Sequence, residues 1–270
     1  MTNRVKRHFP GETWDEYYRR YQTVLAESYL IPMLRRWQVG LEGRKILEVG
    51  CGDGGCGAAL ARAGGKVYSM DIDERLVKIA AALNQKENLD IKVLQGDVGD
   101  KDSPVFREGR FDIILMRDVV EHLPDLVKAL SLLKSQLSGE GILFIVFPPY
   151  YSPYGGHQQI LPRRKFGPIP VNKLPYVQLL PDRLFFSLIK GDGPAHREVR
   201  SLRDIRLTLR KFEAQAQAAG LTIGQSKHYL SRPTFNLRYG LPVVGASLIG
   251  RVPLLKELMV TAGYYLLKKG

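Results

Sequence analysis

The stretch Leu47-Glu48-Val49-Gly50-Cys51-Gly52-Asp53-Gly54-Gly55 ends a short apolar run in a glycine-rich turn. The apolar residues before the turn predict a buried strand, and the small residues over 58–63 predict a helix after it. Glycine lets the backbone turn sharply and approach a ligand without a Cβ atom in the way. A strand, a glycine turn and a helix in this order present backbone N–H groups to a nucleotide-sized crevice. The stretch therefore predicts an α/β fold that binds a nucleotide.

The charges around the turn indicate which nucleotide it binds. Gly50, Gly52 and Gly55 satisfy the G-x-G-x-x-G spacing of dinucleotide sites, so NAD has to be considered. However, Glu48 and Asp53 place two carboxylates where a pyrophosphate would lie. Two like charges in close contact repel by about 4 kcal/mol at an effective dielectric near 20. The same carboxylates suit a ligand that carries a sulfonium and an ammonium group. A phosphate-binding Walker loop is excluded because no Gly-Lys-Ser/Thr follows the turn.

Three further segments follow in order. The run 67–73 predicts a second strand that ends in the acid Asp71, and the run 93–98 contains Asp97. The run 111–124 predicts a fourth strand and its following loop. Together, the four segments resemble the class I S-adenosylmethionine-dependent methyltransferases, in particular the quinone-biosynthesis and small-molecule branch.

This resemblance implies S-adenosyl-L-methionine as cofactor and S-adenosyl-L-homocysteine as product. By resemblance, Asp71 accepts hydrogen bonds from both ribose hydroxyls, Asp97 receives the adenine amino group, and the Val98 N–H meets a ring nitrogen. The loop after the fourth strand would border cofactor and substrate together. The cofactor-binding residues implied are Glu48, Gly50, Cys51, Gly52, Gly54, Asp71, Ile72, Asp97, Val98 and Arg117.

Structural roles compete with several of these assignments. Gly54 and Gly55 could serve tight packing, and Asp97 could be a turn residue at a strand end. Asp73 is better explained as the N-cap of a helix over 74–83 than as a ligand contact. His122 adjoins a helix start at 124, which favours a structural hydrogen bond over substrate contact.

The alternation of strands and helices predicts a Rossmann-like, doubly wound, mostly parallel sheet of seven strands. Strands are expected at 44–49, 67–71, 91–95, 111–116 and 141–147, and again at 222–229. By resemblance, the last strand, 262–268, inserts antiparallel beside the fifth. A single helix is predicted over 201–219, with Ser201 and Asp204 as its capping pair and Gly220 as its end.

Four parts follow from this organisation. Residues 1–43 form an N-terminal helical cap, 44–149 the cofactor-binding core, and 150–200 a lid insertion. Residues 201–270 complete the core and include an apolar and basic connector at 231–259. The cap is rich in aromatic residues, which either fold over the cofactor or pack on the sheet domain. The lid follows the fifth strand at the carboxyl edge of the sheet, where ligands bind.

His157 in the lid is the predicted general base, because imidazole can take a hydroxyl proton near neutral pH. The alternative is a solvated loop histidine. Asp118 could orient that base or a substrate hydroxyl. Alignment of the nucleophile, methyl group and sulfur carries much of the rate. No metal is expected, because no His-x-x-x-His spacing occurs and Cys51 and Cys56 are the only cysteines.

The sequence Phe147-Pro148-Pro149-Tyr150 resembles the Asp/Asn-Pro-Pro-Tyr motif of amino-directed DNA methyltransferases. Here, however, phenylalanine leads and the motif follows the fifth predicted strand instead of the fourth. A nucleic-acid amino-methyltransferase is therefore disfavoured.

Charge and hydropathy bear on partners. The chain of 270 residues has 40 Lys plus Arg against 27 Asp plus Glu, a net charge of +13. The apolar run 241–250 is followed by Arg251, Lys256, Lys268 and Lys269. This pattern suits an anionic membrane surface or a lipid-linked substrate, or else an ordinary connector with a solvated basic face. No apolar leader or stretch of about 18 apolar residues occurs, so we expect a cytoplasmic protein, peripheral at most at the inner membrane face.

The sequence therefore predicts a methyltransferase that O-methylates a small-molecule, glycan or lipid-linked hydroxyl. An RNA methyltransferase is one alternative, although the basic segments contain no recognisable nucleic-acid module. A catalytically silent binding scaffold is another. The oligomeric state does not follow from the sequence.

Overall fold

The computed structural model describes residues 11–157, 165–166, 169–170, 174–187, 193–247, 249 and 252–270. For residues 165–166, 169–170 and 194–195 it describes the backbone alone.

A central sheet of eight strands in the order β3-β2-β1-β4-β5-β10-β8-β9 organises the described chain. Strands β1 to β5 run parallel, and β10 pairs antiparallel with both β5 and β8. The predicted Rossmann-like sheet is confirmed, with a two-residue strand, β9, added at its edge. The strands are β1 Lys45–Val49, β2 Lys66–Asp71, β3 Lys92–Gln95, β4 Phe111–Arg117, β5 Leu137–Phe147, β6 Lys165–Phe166, β7 Ile169–Pro170, β8 Leu221–Ser231, β9 Val244–Gly245 and β10 Ala262–Lys269.

Helices cover the sheet and extend beyond it. They are α1 Trp14–Leu25, α2 Ile31–Arg36, α3 Gly55–Arg62, α4 Glu74–Lys86, α5 Leu126–Gln136, α6 Asp182–Ser187, α7 Pro194–Ile205, α8 Leu209–Ala218, α9 Pro233–Tyr239 and α10 Pro253–Met259. A π-helical turn joins α1 to α2, and a 3₁₀ turn, Val120–His122, follows β4. Among the described residues, no helix has both the length and the apolar character needed to cross a membrane.

The sheet has a hydrophobic core on each face. Because side chains alternate along a strand, Leu47 joins one core and Ile46 the other. The first core lies under α5 and α8, where Leu130 and Phe212 are fully buried. The second lies under α2 and α3, where Leu34 is fully buried. Helices on both faces leave the carboxyl edge of the parallel strands open for a ligand.

The predicted single helix over 201–219 is wrong, because the chain breaks it into α7 and α8. Arg206 adopts a left-handed conformation with φ 46°, which ends α7. The Thr208 hydroxyl then accepts a hydrogen bond from the Lys211 N–H at 3.0 Å and starts α8. Ser201 and Asp204 lie inside α7, so they are not its capping pair. Gly220, at φ 73°, follows α8 as expected.

The N-terminal helix α1 packs against α3 and α9. Thr13 and Glu16 cap its start reciprocally, with Glu16 N 3.2 Å from the Thr13 hydroxyl and Thr13 N 2.9 Å from the Glu16 carboxylate. The aromatic side chains divide, since Tyr21 is buried with Leu237 of α9 whereas Trp14 is 64% exposed. The described part of the cap therefore packs beside the sheet domain and leaves the Trp14 ring at the surface.

The connector at 231–259 contains α9, β9 and α10, and several of its apolar side chains face outward. Those that the structure leaves more than a third exposed are Tyr239, Leu241, Val244, Val252, Leu254, Leu255 and Met259. Residues 248, 250 and 251 of this connector lie outside the described residues. Its predicted contact with a membrane surface stays a prediction.

Candidate functional site

The glycine turn after β1 adopts backbone conformations that only glycine accepts readily. Gly50, Gly52 and Gly54 have φ angles of 71°, 56° and 77°. A Cβ atom on Gly50 would lie 2.3 Å from Val119 Cγ2, whereas one on Gly52 would meet open space. Gly50 and Gly52 both line a cavity. The turn therefore brings its backbone directly to a ligand-sized space.

The next two glycines serve packing instead. A Cβ atom on Gly55 would lie 2.3 Å from the Arg19 carbonyl oxygen, and one on Gly54 would lie 2.9 Å from Arg19 Nη1. Gly54, which the resemblance assigned to the cofactor, therefore contacts α1 and is not part of the cavity wall.

Arg19 of α1 holds the turn in place and was missed by sequence reasoning. Its guanidinium donates to the Asp53 carbonyl at 2.8 Å, to Asn84 Oδ1 at 2.7 Å and to Glu87 Oε1 at 2.7 Å. The residue is only 2% exposed. The sequence predicted a helical cap here, but nothing local shows that one of the two arginines of α1 is buried.

Two acids are buried beneath the turn. Glu48 accepts a hydrogen bond from the Ser69 hydroxyl at 3.0 Å, and burial raises its pKa to about 7. Burial likewise raises the pKa of Asp53 to about 6, although its Oδ1 accepts from the Gly55 N–H at 3.1 Å. Asp53 Oδ2 has no hydrogen-bond partner among the described residues. Both carboxyls lie behind the cavity wall and so create a site that disfavours a further negative charge.

The cavity has a volume of about 350 Å³ and lies at the carboxyl ends of β1, β2, β3 and β4. The structure thus brings together acids from three separate strand ends at one cavity. The predicted site residues that line it are Gly50, Gly52, Asp71, Ile72, Asp97, Val98 and Asp118. The predicted residues outside its wall are Glu48, Cys51, Gly54, Arg117 and His157.

Asp71 is fixed by the backbone around it. Its Oδ2 accepts a hydrogen bond from the Gly52 N–H at 2.9 Å, and its Oδ1 accepts from the Asp73 N–H at 3.0 Å. Each carboxylate oxygen keeps further acceptor capacity that a ligand hydroxyl can use. Next to it, Ile72 is 67% exposed at the cavity. Asp73 caps α4 through the Arg75 N–H at 2.8 Å, as the sequence predicted.

Asp97 is a turn residue that also lies on the cavity wall, and its predicted contact with a cofactor stays a prediction. Its Oδ1 accepts a hydrogen bond from the Gly99 N–H at 2.7 Å, which is a turn contact. The residue also lines the cavity next to Val98. The turn therefore orients a carboxylate that a ligand can reach.

Asp118 lines the same cavity and directly follows β4. Its carboxylate is 2.6 Å from Arg117 Nη1. Burial alone would raise the pKa of Asp118, but the positive charges of Arg117 and Arg232 hold it below the usual value. Its φ of 55° is rare for a residue other than glycine and marks a position fixed by its surroundings.

His157 in the lid lies between two carboxylates. Its Nδ1 is 3.3 Å from Glu198 Oε1 and its Nε2 is 3.6 Å from Glu121 Oε1. Burial lowers the pKa of the imidazole, but these carboxylates and Asp118 outweigh it and raise the pKa to about 9. The ring therefore has partners, contrary to a solvated loop histidine, and carries its second proton at neutral pH. Its ring centroid lies 5.1 Å from that of His122, which lines the cavity.

The lid is anchored to α7. Arg203 donates to the Gln178 carbonyl at 2.7 Å and to the Leu180 carbonyl at 3.0 Å, and its guanidinium lies 4.3 Å from the centre of the Phe185 ring. Gln178 in turn donates to the Tyr150 carbonyl at 3.1 Å. Tyr150, from the Phe-Pro-Pro-Tyr run, is therefore a buried lid residue.

A second cavity, of about 300 Å³, opens at the opposite edge of the sheet. Trp37, Asp112, Glu140 and Lys268 are among its lining residues. It lies at the amino ends of β1 and β4, whereas ligands of such sheets bind at the carboxyl ends. The cavity that contains Asp71 is therefore the candidate active site.

Comparison with known proteins matches the part of the chain that forms the candidate active site. A family described as a methyltransferase domain matches residues 47–145. The chain is similar to the ubiquinone biosynthesis O-methyltransferase of Actinobacillus pleuropneumoniae serotype 5b, with 32% identity over 107 residues. That match covers 39% of this chain and 46% of the relative, so the chain spans less than half the length of the curated protein it matches.

Two solved structures resemble the fold across most of the chain. An S-adenosylmethionine-dependent methyltransferase from Clostridium acetobutylicum matches with a TM-score of 0.56 and 13% identity, over 91% of each chain. The magnesium protoporphyrin IX methyltransferase of Synechocystis PCC 6803, solved with bound S-adenosylhomocysteine, matches with a TM-score of 0.54 and 15% identity. That match covers 98% of this chain and 91% of the other. At these identities the likeness establishes the fold.

Proposed function

We propose that this chain, which belongs to the class I S-adenosylmethionine-dependent methyltransferases, transfers a methyl group from that cofactor to a hydroxyl group of a small-molecule acceptor. The observation that carries the proposal is the cavity itself. Asp71 after β2 and Asp97 after β3 line it together with the glycine turn after β1. Asp118 and His122 line it from the segment after β4. The residues of the glycine turn, β2 and β3 suit a nucleoside. The residues after β4 suit a methyl acceptor.

The electrostatics of the turn favour S-adenosylmethionine over a dinucleotide. Glu48 and Asp53 are both buried, and burial raises the pKa of each. A ligand with a sulfonium and an ammonium group would stabilise their ionised forms, whereas a pyrophosphate would be repelled. Asp71 would hold the ribose hydroxyls, and Ile72 offers an exposed apolar surface for the adenine ring.

The chemistry is a single displacement. The acceptor oxygen forms a bond to the methyl carbon while the bond from that carbon to sulfur breaks, and the electron pair goes to sulfur. The products are a methyl ether and S-adenosylhomocysteine, and the hydroxyl proton passes to water. Because the sulfonium is a good leaving group, the protein mainly has to align oxygen, carbon and sulfur.

The roles of Asp118 and His157 follow from their protonation. With its pKa held below the usual value, Asp118 is ionised and can accept a hydrogen bond from the acceptor hydroxyl. His157 was predicted to be the general base, but an imidazole with a pKa of about 9 already carries the proton it would have to accept. We therefore assign His157 to holding the lid side of the site and not to proton abstraction.

The acceptor class is a further part of the proposal. The curated relative named above is a ubiquinone biosynthesis O-methyltransferase, which favours a small-molecule hydroxyl. The exposed apolar side chains of α10, including Leu254 at 70%, and the net charge of +13 suit a lipid-linked acceptor or an anionic membrane surface. A glycan hydroxyl is the remaining small-molecule class.

The first test is calorimetric titration with S-adenosylmethionine, S-adenosylhomocysteine and NAD. We expect wild type to bind the first two, and Asp71→Asn to weaken both at least tenfold, because the ribose loses a charged acceptor. Asp73→Asn is the matched control, since Asp73 caps α4 and lies outside the cavity wall. Binding of NAD instead would contradict the electrostatic assignment.

The second test follows methyl transfer from labelled cofactor to hydroxylated acceptors, including glycans, quinone-like phenols and lipid-linked sugars. Transfer that is lost in Asp71→Asn would support the proposal. Cofactor binding without transfer to any acceptor would favour a binding scaffold. Salt-sensitive transfer to RNA, with no transfer to small hydroxylated acceptors, would favour the RNA alternative.

A further inference from the structure

Three side chains that can ligate a metal converge beside the candidate active site. Glu121 and His122 come from the 3₁₀ turn after β4, and His157 comes from the lid. One ligating atom from each lies within 4.8 Å of the others. Two imidazoles and one carboxylate form a donor set that zinc and related transition metals prefer over magnesium or calcium, which favour oxygen alone.

The carboxylate of Glu121 is buried with its bonding capacity unused. The residue is 3% exposed, and neither carboxylate oxygen has a hydrogen-bond partner among the described residues. His157 Nε2, at 3.6 Å from Oε1, lies beyond hydrogen-bond distance. A buried carboxylate without hydrogen bonds is costly. The protonated imidazole of His157 faces it at 3.6 Å, and a metal ion that displaces the proton from Nε2 would bond to the carboxylate directly.

The imidazole of His157 is oriented as metal-binding histidines are. Its Nδ1 lies 3.3 Å from Glu198 Oε1, which leaves Nε2 on the side of Glu121. Such a carboxylate partner on the far nitrogen fixes the ring and makes it a better ligand. Glu198 is on α7, which packs against the Val120–His122 turn. The left-handed backbone of His157, at φ 52°, is a further sign that this position is tightly determined.

We propose that Glu121, His122 and His157 bind one divalent transition-metal ion, with zinc as the best fit to this donor set. Zinc holds nitrogen and oxygen ligands at about 2.0–2.2 Å, so its ligand atoms lie at most about 4.4 Å apart. The three ligating atoms lie within 4.8 Å of one another, close to that limit. His122 also lines the cavity, so the open coordination position of the ion faces the acceptor.

The role of the ion rests on the proposed methyl transfer. A bound cation that coordinates the acceptor hydroxyl lowers the pKa of that hydroxyl and fixes its oxygen toward the methyl group. The hydroxyl proton passes to water, the oxygen attacks the methyl carbon, and the electron pair of the carbon–sulfur bond goes to sulfur. Sequence reasoning missed this site, because only Glu121 and His122 are neighbours in the chain and the third ligand, His157, comes from the lid.

The test is metal binding by tag-free, chelator-treated protein in the absence of cofactor and acceptor. We expect calorimetry with zinc chloride to give one site per chain, with micromolar or tighter affinity and weaker binding of magnesium. Glu121→Gln and His157→Asn should each weaken zinc at least a hundredfold. Glu198→Gln should weaken it roughly tenfold to a hundredfold, because it removes the orienting carboxylate.

Matched controls separate a lost site from a damaged fold. His196→Gln removes a histidine of α7 whose ring packs on Phe186, and it should bind zinc as wild type does. Titration with S-adenosylmethionine should give the wild-type affinity for His157→Asn, which shows that the cofactor side is intact even if Glu121→Gln unfolds. The site is overturned if wild type binds no zinc, if His157→Asn and His196→Gln bind it equally, or if magnesium binds more tightly than zinc.

The outcomes also separate this site from the proposed function. Zinc binding that depends on His157, in a protein that does not bind S-adenosylmethionine, would keep the metal site and refute the methyltransferase role. S-adenosylmethionine binding by a protein that has no zinc site would refute the metal site and leave the proposed methyltransferase role standing.

Discussion

The two walls of the cavity are built in different ways. The cofactor wall, made of the glycine turn, Asp71 and Asp97, follows directly from strand ends, and its main contacts join close neighbours in the sheet. Gly52 N, for example, bonds to Asp71 across the adjacent strands β1 and β2. The other wall is lined by Asp118 and His122 after β4. Behind it, a lid cluster joins Glu121, His157 and Glu198 from three distant parts of the chain. The first wall is therefore determined by local sequence, and the second only by how the lid docks.

The walls also differ in how they tolerate unusual backbone. The cofactor wall places glycine at its left-handed positions, where the conformation carries no steric cost. The acceptor side instead holds Asp118 and His157 in left-handed conformations, at φ 55° and 52°. Such positions persist only when surrounding contacts fix them, and they concentrate at functional sites. The acceptor side thus depends on packing to a degree that the cofactor wall does not.

The largest expected effect comes from removing the guanidinium that holds the cofactor wall together. Arg19→Met leaves the Asp53 carbonyl and Asn84 Oδ1 buried without their donor. Breaking a buried charged network of this kind costs about 3–5 kcal/mol. We expect the urea unfolding midpoint to fall accordingly, with S-adenosylmethionine affinity falling too. In Arg20→Met, which removes a partly exposed ion pair with Glu12, the loss should stay below about 1 kcal/mol. Equal losses of stability in the two variants would contradict the role of Arg19 in holding the cofactor wall together.

The second-largest expected effect is a pH-dependent change in the free energy of unfolding that Glu48 causes. Burial raises its pKa from 4.5 to about 7 in the folded protein, so the folded state binds the proton more tightly than the unfolded state does. Between these two values the contribution of Glu48 to the free energy of unfolding falls as pH rises, by up to about 3 kcal/mol in total. Glu48→Gln cannot ionise and should be more stable than wild type above pH 7, with little difference at pH 4.

The same substitution should weaken the cofactor, because the ionised carboxylate favours the cationic ligand. Wild-type affinity for S-adenosylmethionine should increase from pH 6 to pH 8 as Glu48 and Asp53 ionise, and Glu48→Gln should flatten that increase. Thermal unfolding and calorimetry across this range measure both effects. Glu74→Gln, which removes an exposed ion pair with Lys78, is the control. If Glu48→Gln stabilises the protein but leaves the pH profile of S-adenosylmethionine binding unchanged, Glu48 does not contribute to cofactor binding.

The difference between the walls also explains how much of the protein the sequence predicted. The strands of the parallel sheet, the cap at Asp73 and the placement of Asp71 and Asp97 depend on local patterns, and the structure agrees with them. The break at Arg206 was missed, because the helical spacing of Leu202, Ile205 and Leu209 continues across it. Similarly, the buried role of Arg19 and the carboxylates around His157 arise from contacts between distant segments, which periodicity does not record.

The smallest effect should separate the walls most clearly. Arg203→Met removes the donors to the Gln178 and Leu180 carbonyls and so loosens the lid from α7, without touching the cofactor wall. We expect kcat/KM to fall about tenfold or more, which corresponds to roughly 1.4 kcal/mol, while the S-adenosylmethionine dissociation constant stays within about twofold. Steady-state kinetics with the acceptor and cofactor titration give the two values on the same preparation. Arg200→Met is the control, because Arg200 is exposed and lies over the Phe186 ring 4.4 Å from its centre. A parallel loss of cofactor affinity in Arg203→Met would mean that the two walls are one cooperative unit, and that the lid shapes the cofactor half of the cavity as well as its own.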